Sequence, residues 1–168
     1  MHTRAMAETL KNAKAFFNNT PGLGEAIRKV IDENTGYKKE IESFVQEKVA
    51  RLAEKISQEA KEINGIKVVE FTQSVVPAMA KGVAGLLQKQ MENFVLAAAF
   101  EYAEKPNLVL MYSQDLVAKG KNAGKDIREA AKSILGGGGG QPGLATAGGK
   151  NVAGLKDALA KLIELATA

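Results

Sequence analysis

Gly136-Gly137-Gly138-Gly139-Gly140-Gln141-Pro142-Gly143-Leu144-Ala145-Thr146-Ala147-Gly148-Gly149-Lys150 holds eight of the chain's 17 glycines. Glycine loses more backbone freedom on folding than any other residue, so this concentration costs stability. A bare glycine run ordinarily reads as a flexible linker. Here it leads into a patterned tail, Pro-x-x-Ala-x-Ala-Gly-Gly, and then into an amphipathic segment, 150–168, too short to be a tethered domain. The stretch therefore reads as an ordered loop inside the fold, whose bare backbone N–H groups approach a partner closely.

The flanks of this loop read as helices. Gly124–Leu135 places Ile127, Ala131, Ile134 and Leu135 inward, and Gly136 stands where a left-handed cap would end it. Asn151 is placed to cap a last helix carrying Leu155, Leu159, Leu162 and Ile163. Further upstream, Ile66–Phe71 reads as a strand, and Pro77 opens a helix bearing Met79, Val83, Leu86, Leu87 and Met91. Phe94–Ala103 and Leu108–Tyr112 read as two strands joined by Glu104-Lys105-Pro106-Asn107. The order β-α-β-β-α-loop-α predicts a small α/β domain over residues 66–168.

Residues 1–65 have a different period. Ile27, Ile31, Asn34, Ile41, Val45, Val49, Leu52, Ile56 and Ile63 keep helical spacing with Glu and Lys between them, predicting one long helix over 24–63. Thr35-Gly36 is the weak point of that helix. An upstream segment, Ala7–Phe17, precedes a turn at Asn18-Asn19-Thr20-Pro21-Gly22, so the spacing predicts a helical hairpin. The apolar stripe predicts a coiled-coil-like dimerisation stalk, and with it a homodimer.

Composition removes several functions. There is no cysteine, and the one histidine, His2, stands at the start of the chain, so histidine dyads and the usual zinc sites have no material. The carboxylates fall mostly at helical distances from lysines, the ordinary role of a solvated face. No catalytic or metal-binding residue is predicted. No apolar run approaches the roughly 20 residues that span a bilayer, and Met1-His2-Thr3-Arg4-Ala5 has no apolar core of a signal peptide, so a cytoplasmic protein without membrane contact is expected.

Charge, by contrast, is concentrated. Residues 105–150 hold seven basic and three acidic side chains, an excess equal to the net charge of +4 for the whole chain. The excess is Lys105, Lys119, Lys121, Lys125, Arg128, Lys132 and Lys150, on both sides of the glycine loop; Lys121, Lys125, Arg128 and Lys132 share a face by helical spacing. A phosphate-loop motif fails, because Leu144 stands where its first glycine belongs and Asn151 replaces the hydroxyl residue. Gly138-x-Gly140-x-x-Gly143 satisfies the dinucleotide spacing but follows a helix and contains Pro142. A glycine ledge beside cations suits a polyanion backbone, which structured RNA presents by shape. For base stacking, Phe94, Phe100 and Tyr102 read as strand core, leaving Tyr112 as the candidate.

The run Gly136–Gly140 with Gln141, Pro142, Ala145, Thr146, Ala147, Gly148, Gly149 and Lys150, after Asp115–Gly120 and Asn122-Ala123-Gly124, resembles the C-terminal domains of the alanyl-tRNA synthetase family. These are DHH-associated domains. The resemblance covers residues 66–168, and the preceding helices are similar to the coiled region upstream of such domains. It implies a non-catalytic segment of an ATP-dependent alanine–tRNA ligase, with ATP, Mg and Zn belonging to domains upstream. It further implies contact with the outer corner of tRNA and a part in dimerisation. Gly136, Gly137, Gly138, Gly139, Gly140, Gln141, Pro142, Gly148 and Gly149 match the family motif. Lys119, Lys121, Lys125, Arg128, Lys132 and Lys150 are added as tRNA contacts on electrostatic grounds. The motif departs from the family pattern in having five glycines and in Thr146 at the usual glutamine position. The same domain occurs in DHH-type phosphoesterases, which gives an alternative reading as their substrate-binding half. A purely structural dimerisation module is a further alternative.

Overall fold

The computed structural model describes residues 2–168, without the side chain of His2, so the histidine expected to take no part in catalysis lies outside the described side chains. The chain forms two compact units, one ending at Phe44 and the other Val45–Ala168.

The first unit is helical: α1 (His2–Ala15) and the first part of α2 (Leu23–Gln58), with Asn18 and Asn19 both at positive φ in the turn between them. No described side chain from residue 3 to 44 is buried. Ile27, Val30, Ile31, Tyr37, Ile41 and Phe44 are exposed apolar residues along α2.

The second unit is built on a six-stranded sheet in the order β1-β2-β3-β4-β6-β5. Its strands are β1 (Lys61–Ile63), β2 (Ile66–Phe71), β3 (Phe94–Tyr102), β4 (Lys105–Tyr112), β5 (Gly137–Gly140) and β6 (Leu144–Gly148). Only β2 and β3 run parallel, joined through α3 (Pro77–Gln90); the other neighbours are antiparallel. Parallel neighbours need a long crossover, usually a helix, and α3 supplies it between β2 and β3. Alternation along the strands sends Val69, Phe71, Leu96, Ala98, Phe100, Val109 and Met111 to a core shared with α3 and with Val49, Ala53 and Ile56 of α2. The opposite face, with Val95, Ala97, Leu108, Leu110, Ala145 and Ala147, packs on α5 (Ala123–Ala131) and α6 (Leu155–Thr167). A short helix α4 (Gln114–Ala118) and a 3-10 turn at Val152–Gly154 complete the unit.

The α/β class and the elements at 66–71, 77–90 and 94–102 follow the sequence expectation, as does the existence of the last helix. Five details differ. That last helix starts at Leu155 after Gly154, and Asn151, expected to cap it, instead donates its side-chain amide to the Ser133 carbonyl at 3.1 Å. The long helix ends at Gln58 instead of 63, because Asn64 and Gly65 adopt positive φ (52° and 78°) and close a two-residue hairpin that turns Lys61–Ile63 into a strand. The β3–β4 turn is Ala103-Glu104, both left-handed (50° and 60°), so Lys105, Pro106 and Asn107 belong to β4. Pro106 lies just beyond the reach of β6, whose pairing with β4 starts at Asn107, and there the ladder asks no N–H of it.

The glycine stretch, expected as a loop, is a β-hairpin. β5 and β6 pair Gly137 with Gly148 and Gly140 with Ala145, around a tight turn at Pro142-Gly143 closed by reciprocal Gln141–Leu144 hydrogen bonds. The cap after α5 also differs. Leu135, not Gly136, takes the left-handed conformation (φ 49°), while a Cβ on Gly136 would overlap the carbonyl of Gly148. Glycine stands where backbone meets backbone, and leucine bears the strain next door.

Candidate nucleic-acid interface

The site begins with the edge of the sheet. β5 has β6 on one side and no strand on the other, so alternate backbone groups lack a ladder partner. Gly137, Gly138 and Gly140 are exposed and Gly139 half-buried. Added Cβ atoms at Gly138 and Gly140 would overlap β6 backbone at Thr146–Ala147 and Leu144–Ala145, so this strand accepts no side chain at either position. The result is a strip of peptide bare of side chains.

Alongside this strip runs α5. Its start is set by Asn122, whose Oδ1 accepts the Lys125 N–H at 3.1 Å. Gly124 lets it approach: a Cβ there would come within 2.7 Å of the Gly140 carbonyl oxygen. Ile127, Ala130 and Ala131 bury its inner face, leaving Lys125, Arg128, Glu129 and Lys132 exposed on the outer one. The Arg128 guanidinium lies over the strip, with Nη2 3.5 Å from where a Gly139 Cβ would stand. Lys132 pairs with Glu129 at 2.6 Å, and this hydrogen bond together with the ammonium charge holds the Glu129 carboxyl below its ordinary range. Lys125 and Arg128 form no ion pair among the described residues.

The other predicted contacts divide. Lys150 is exposed and lines a cleft of about 300 Å3 with Lys105, Pro106, Asn107, Leu135, Gly136, Gly148 and Gly149, at the end of the sheet where β5 starts and β6 finishes. Gln141 and Pro142 are exposed at the hairpin turn. Lys119 is exposed at the end of α4. Lys121 is half-buried, and its ammonium donates to the carbonyls of Leu165 and Ala168 at 3.1 and 3.0 Å, where it meets the negative end of α6. Helical spacing placed it with Lys125 and Arg128, but α5 starts only at Ala123.

The two tyrosines exchange the roles expected of them. Tyr112 is fully buried, and its hydroxyl donates to Asp126 Oδ2 at 2.6 Å. Burial, then the carboxylate beside it, pushes its phenol well above the ordinary range. It is therefore no stacking platform, whereas Tyr102, expected in the core, is 41% exposed. The reason is the end of the sheet: Tyr102 flanks the β3–β4 turn, beyond the covering helices, while Tyr112 points under α5.

Leu135, expected to face inward with Ile127, Ala131 and Ile134, is instead exposed, because the helix ends at Ala131 and the left-handed backbone at 135 turns the chain outward. Sequence reasoning missed Asn107 and Lys81. Lys81 borders a second cleft, of about 340 Å3, with Pro77, Asn107, Gly137 and Thr146 on the α3 side of the sheet. Only the β4–β6 pairing brings Asn107 beside the glycines, and that pairing is long-range. Among the described residues no group of three His, Cys, Asp or Glu could hold a metal ion, and no helix is long and apolar enough to cross a membrane.

Residues 64–168 match the DHHA1 domain family. Over 160 residues the chain is 50% identical to the alanine–tRNA ligase of Bacteroides fragilis, covering 95% of this chain and 18% of that protein. It is 43% identical to the alanine–tRNA ligase of Parabacteroides distasonis over 161 residues, with the same coverages. The chain thus spans about a fifth of the length of these relatives. Among solved structures, the C-Ala domain of Aquifex aeolicus alanyl-tRNA synthetase superimposes with a TM-score of 0.57 at 27% identity, covering 65% of this chain and 98% of that one.

Proposed function

The chain belongs to the DHHA1 domain family, and on that premise we propose that it is the C-terminal, tRNA-contacting module of a cytoplasmic alanine–tRNA ligase. The observation that carries this reading is the bare edge strand Gly137–Gly140 lying beside the exposed Lys125 and Arg128, with the guanidinium of Arg128 over Gly139. Side-chain-free peptide admits a sugar–phosphate chain to within hydrogen-bonding distance of its N–H groups, and the cations offset the phosphate charge. No base-reading pattern accompanies them, so recognition is of the folded shape of tRNA. Aminoacylation and its ATP, Mg and Zn belong to the remainder of such a ligase. The segment carries no catalytic group of its own.

The same reading gives α2 a role in dimerisation. Ile27, Val30, Ile31, Tyr37, Ile41 and Phe44 repeat at three- and four-residue intervals with Asn34 among them, the pattern of a coiled-coil seam.

Titration of folded tRNA tests the first part. The wild-type chain binds with an affinity that falls as salt rises, and Lys125→Glu/Arg128→Glu weakens it by at least about tenfold with a shallower salt dependence. Equal affinity of the two proteins removes the site.

A further inference from the structure

We infer that Leu135 is a stacking residue, an apolar shelf against which one outward-facing nucleobase of tRNA lies flat, held there by phosphates on Lys105 and Lys150. The inference rests on the tRNA-contacting reading above and adds a second contact to it, at the end of the sheet rather than along the face of α5.

Three independent features of Leu135 converge. Its side chain is 70% exposed. Its backbone is left-handed, at φ 49°, a conformation that costs a bulky residue free energy and that glycine would adopt without strain. The turn itself is closed by backbone hydrogen bonds, Leu135 N–H to the Lys132 carbonyl and Gly136 N–H to the Ala131 carbonyl, which any residue at 135 supplies. Nothing in the folding of the turn therefore calls for a leucine.

The surroundings define the occupant. Leu135 borders the cleft of about 300 Å3 whose floor is the glycine backbone at Gly136, Gly148 and Gly149. That floor is bare by necessity: a Cβ at Gly136 would strike Gly148 and one at Gly149 would strike the Ile134 carbonyl. Lys105 and Lys150 stand on its rim, and no acidic residue lines it. A cleft with a bare backbone floor, an apolar flank and two cations fits a planar ring joined to a polyanion. An apolar peptide would leave both ammonium groups without a counter-charge, and a free phosphate would leave the leucine uncovered. Every base has an apolar face, so packing that face on a side chain takes little account of base identity.

The test exploits the left-handed backbone, because Leu135→Gly relieves strain and keeps the fold. Circular dichroism and thermal melts of the variant should match or exceed the wild type. Its affinity for folded tRNA should fall about five- to tenfold, with the slope of log affinity against log salt unchanged, since no phosphate contact is lost. Lys105→Ala/Lys150→Ala should weaken binding and reduce that slope by about 1.5 to 2. Wild-type binding that is unchanged in Leu135→Gly overturns the stacking role and leaves the α5 interface standing. A wild-type chain without salt-sensitive affinity for tRNA overturns the functional reading and this contact with it.

Discussion

The hydroxyl of Tyr112, on the last residue of β4, donates to Oδ2 of Asp126 on α5 across 2.6 Å. This bond fixes α5, and with it Lys125 and Arg128, against the sheet on which the glycine strand forms the edge. Among the described residues it is the one side-chain hydrogen bond within a core face otherwise made of Ala, Val, Ile and Leu.

Removing the hydroxyl with Tyr112→Phe leaves the Asp126 carboxylate without this donor and should cost about 1.5 to 3 kcal/mol, the range for hydrogen bonds to charged groups. The effect carries a pH signature. The folded phenol ionises above the value of about 10 usual for an unfolded tyrosine, so its contribution is complete below about pH 10 and is lost as pH rises beyond it. Urea melts of the wild type between neutral pH and about pH 11 should show stability declining above pH 10, and Tyr112→Phe should flatten that decline. An alkaline decline of equal steepness in the variant would assign it to other groups.

Within β5 the glycines are not equivalent. A Cβ at Gly138 would overlap Thr146 and Ala147, whereas one at Gly137 would meet nothing within 4 Å. Gly138→Ala should therefore destabilise the domain by more than about 2 kcal/mol, the scale of overpacking against backbone, while Gly137→Ala should change stability by about 0.5 kcal/mol or less. Paired thermal melts decide this. Equal losses would mean that the strand is less closely packed on β6 than its register implies.

For the helical seam, Ile31 and Ile41 are 57% and 60% exposed. If α2 pairs with a second copy, sedimentation of the chain should give a dimer, and Ile31→Glu/Ile41→Glu should give a folded monomer, because two buried carboxylates per helix cannot be desolvated without partners. A monomer from the unaltered chain would end the proposal.

Much was legible in the residues themselves. Pro77 at the first turn of α3, the apolar runs of β3 and β4, and the spacing of Leu155, Leu159 and Leu162 in α6 are local signals, and local periodicity is enough to specify such elements. Asn64-Gly65 was also a local hairpin signal, obscured because Ile63 happened to continue the helical spacing of α2. The local charge excess beside the glycines was likewise plain from composition.

What the order of residues settled was the class, an α/β sheet preceded by helices, together with the chemistry available: glycine backbone and cations, with no cysteine and a single histidine. Tertiary structure decided the rest. A run of five glycines has no side chains and so no periodicity, and only pairing with Leu144–Gly148 makes it a strand. Tyr112 and Tyr102 are alike as residues, and only the position of α5 buries one while the turn exposes the other. Lys121 and Lys125 share a helical interval, yet the end of α6 captures the first and leaves the second to solvent. In each case the deciding partner is far away in the chain, and contacts of that kind leave no local periodicity to read.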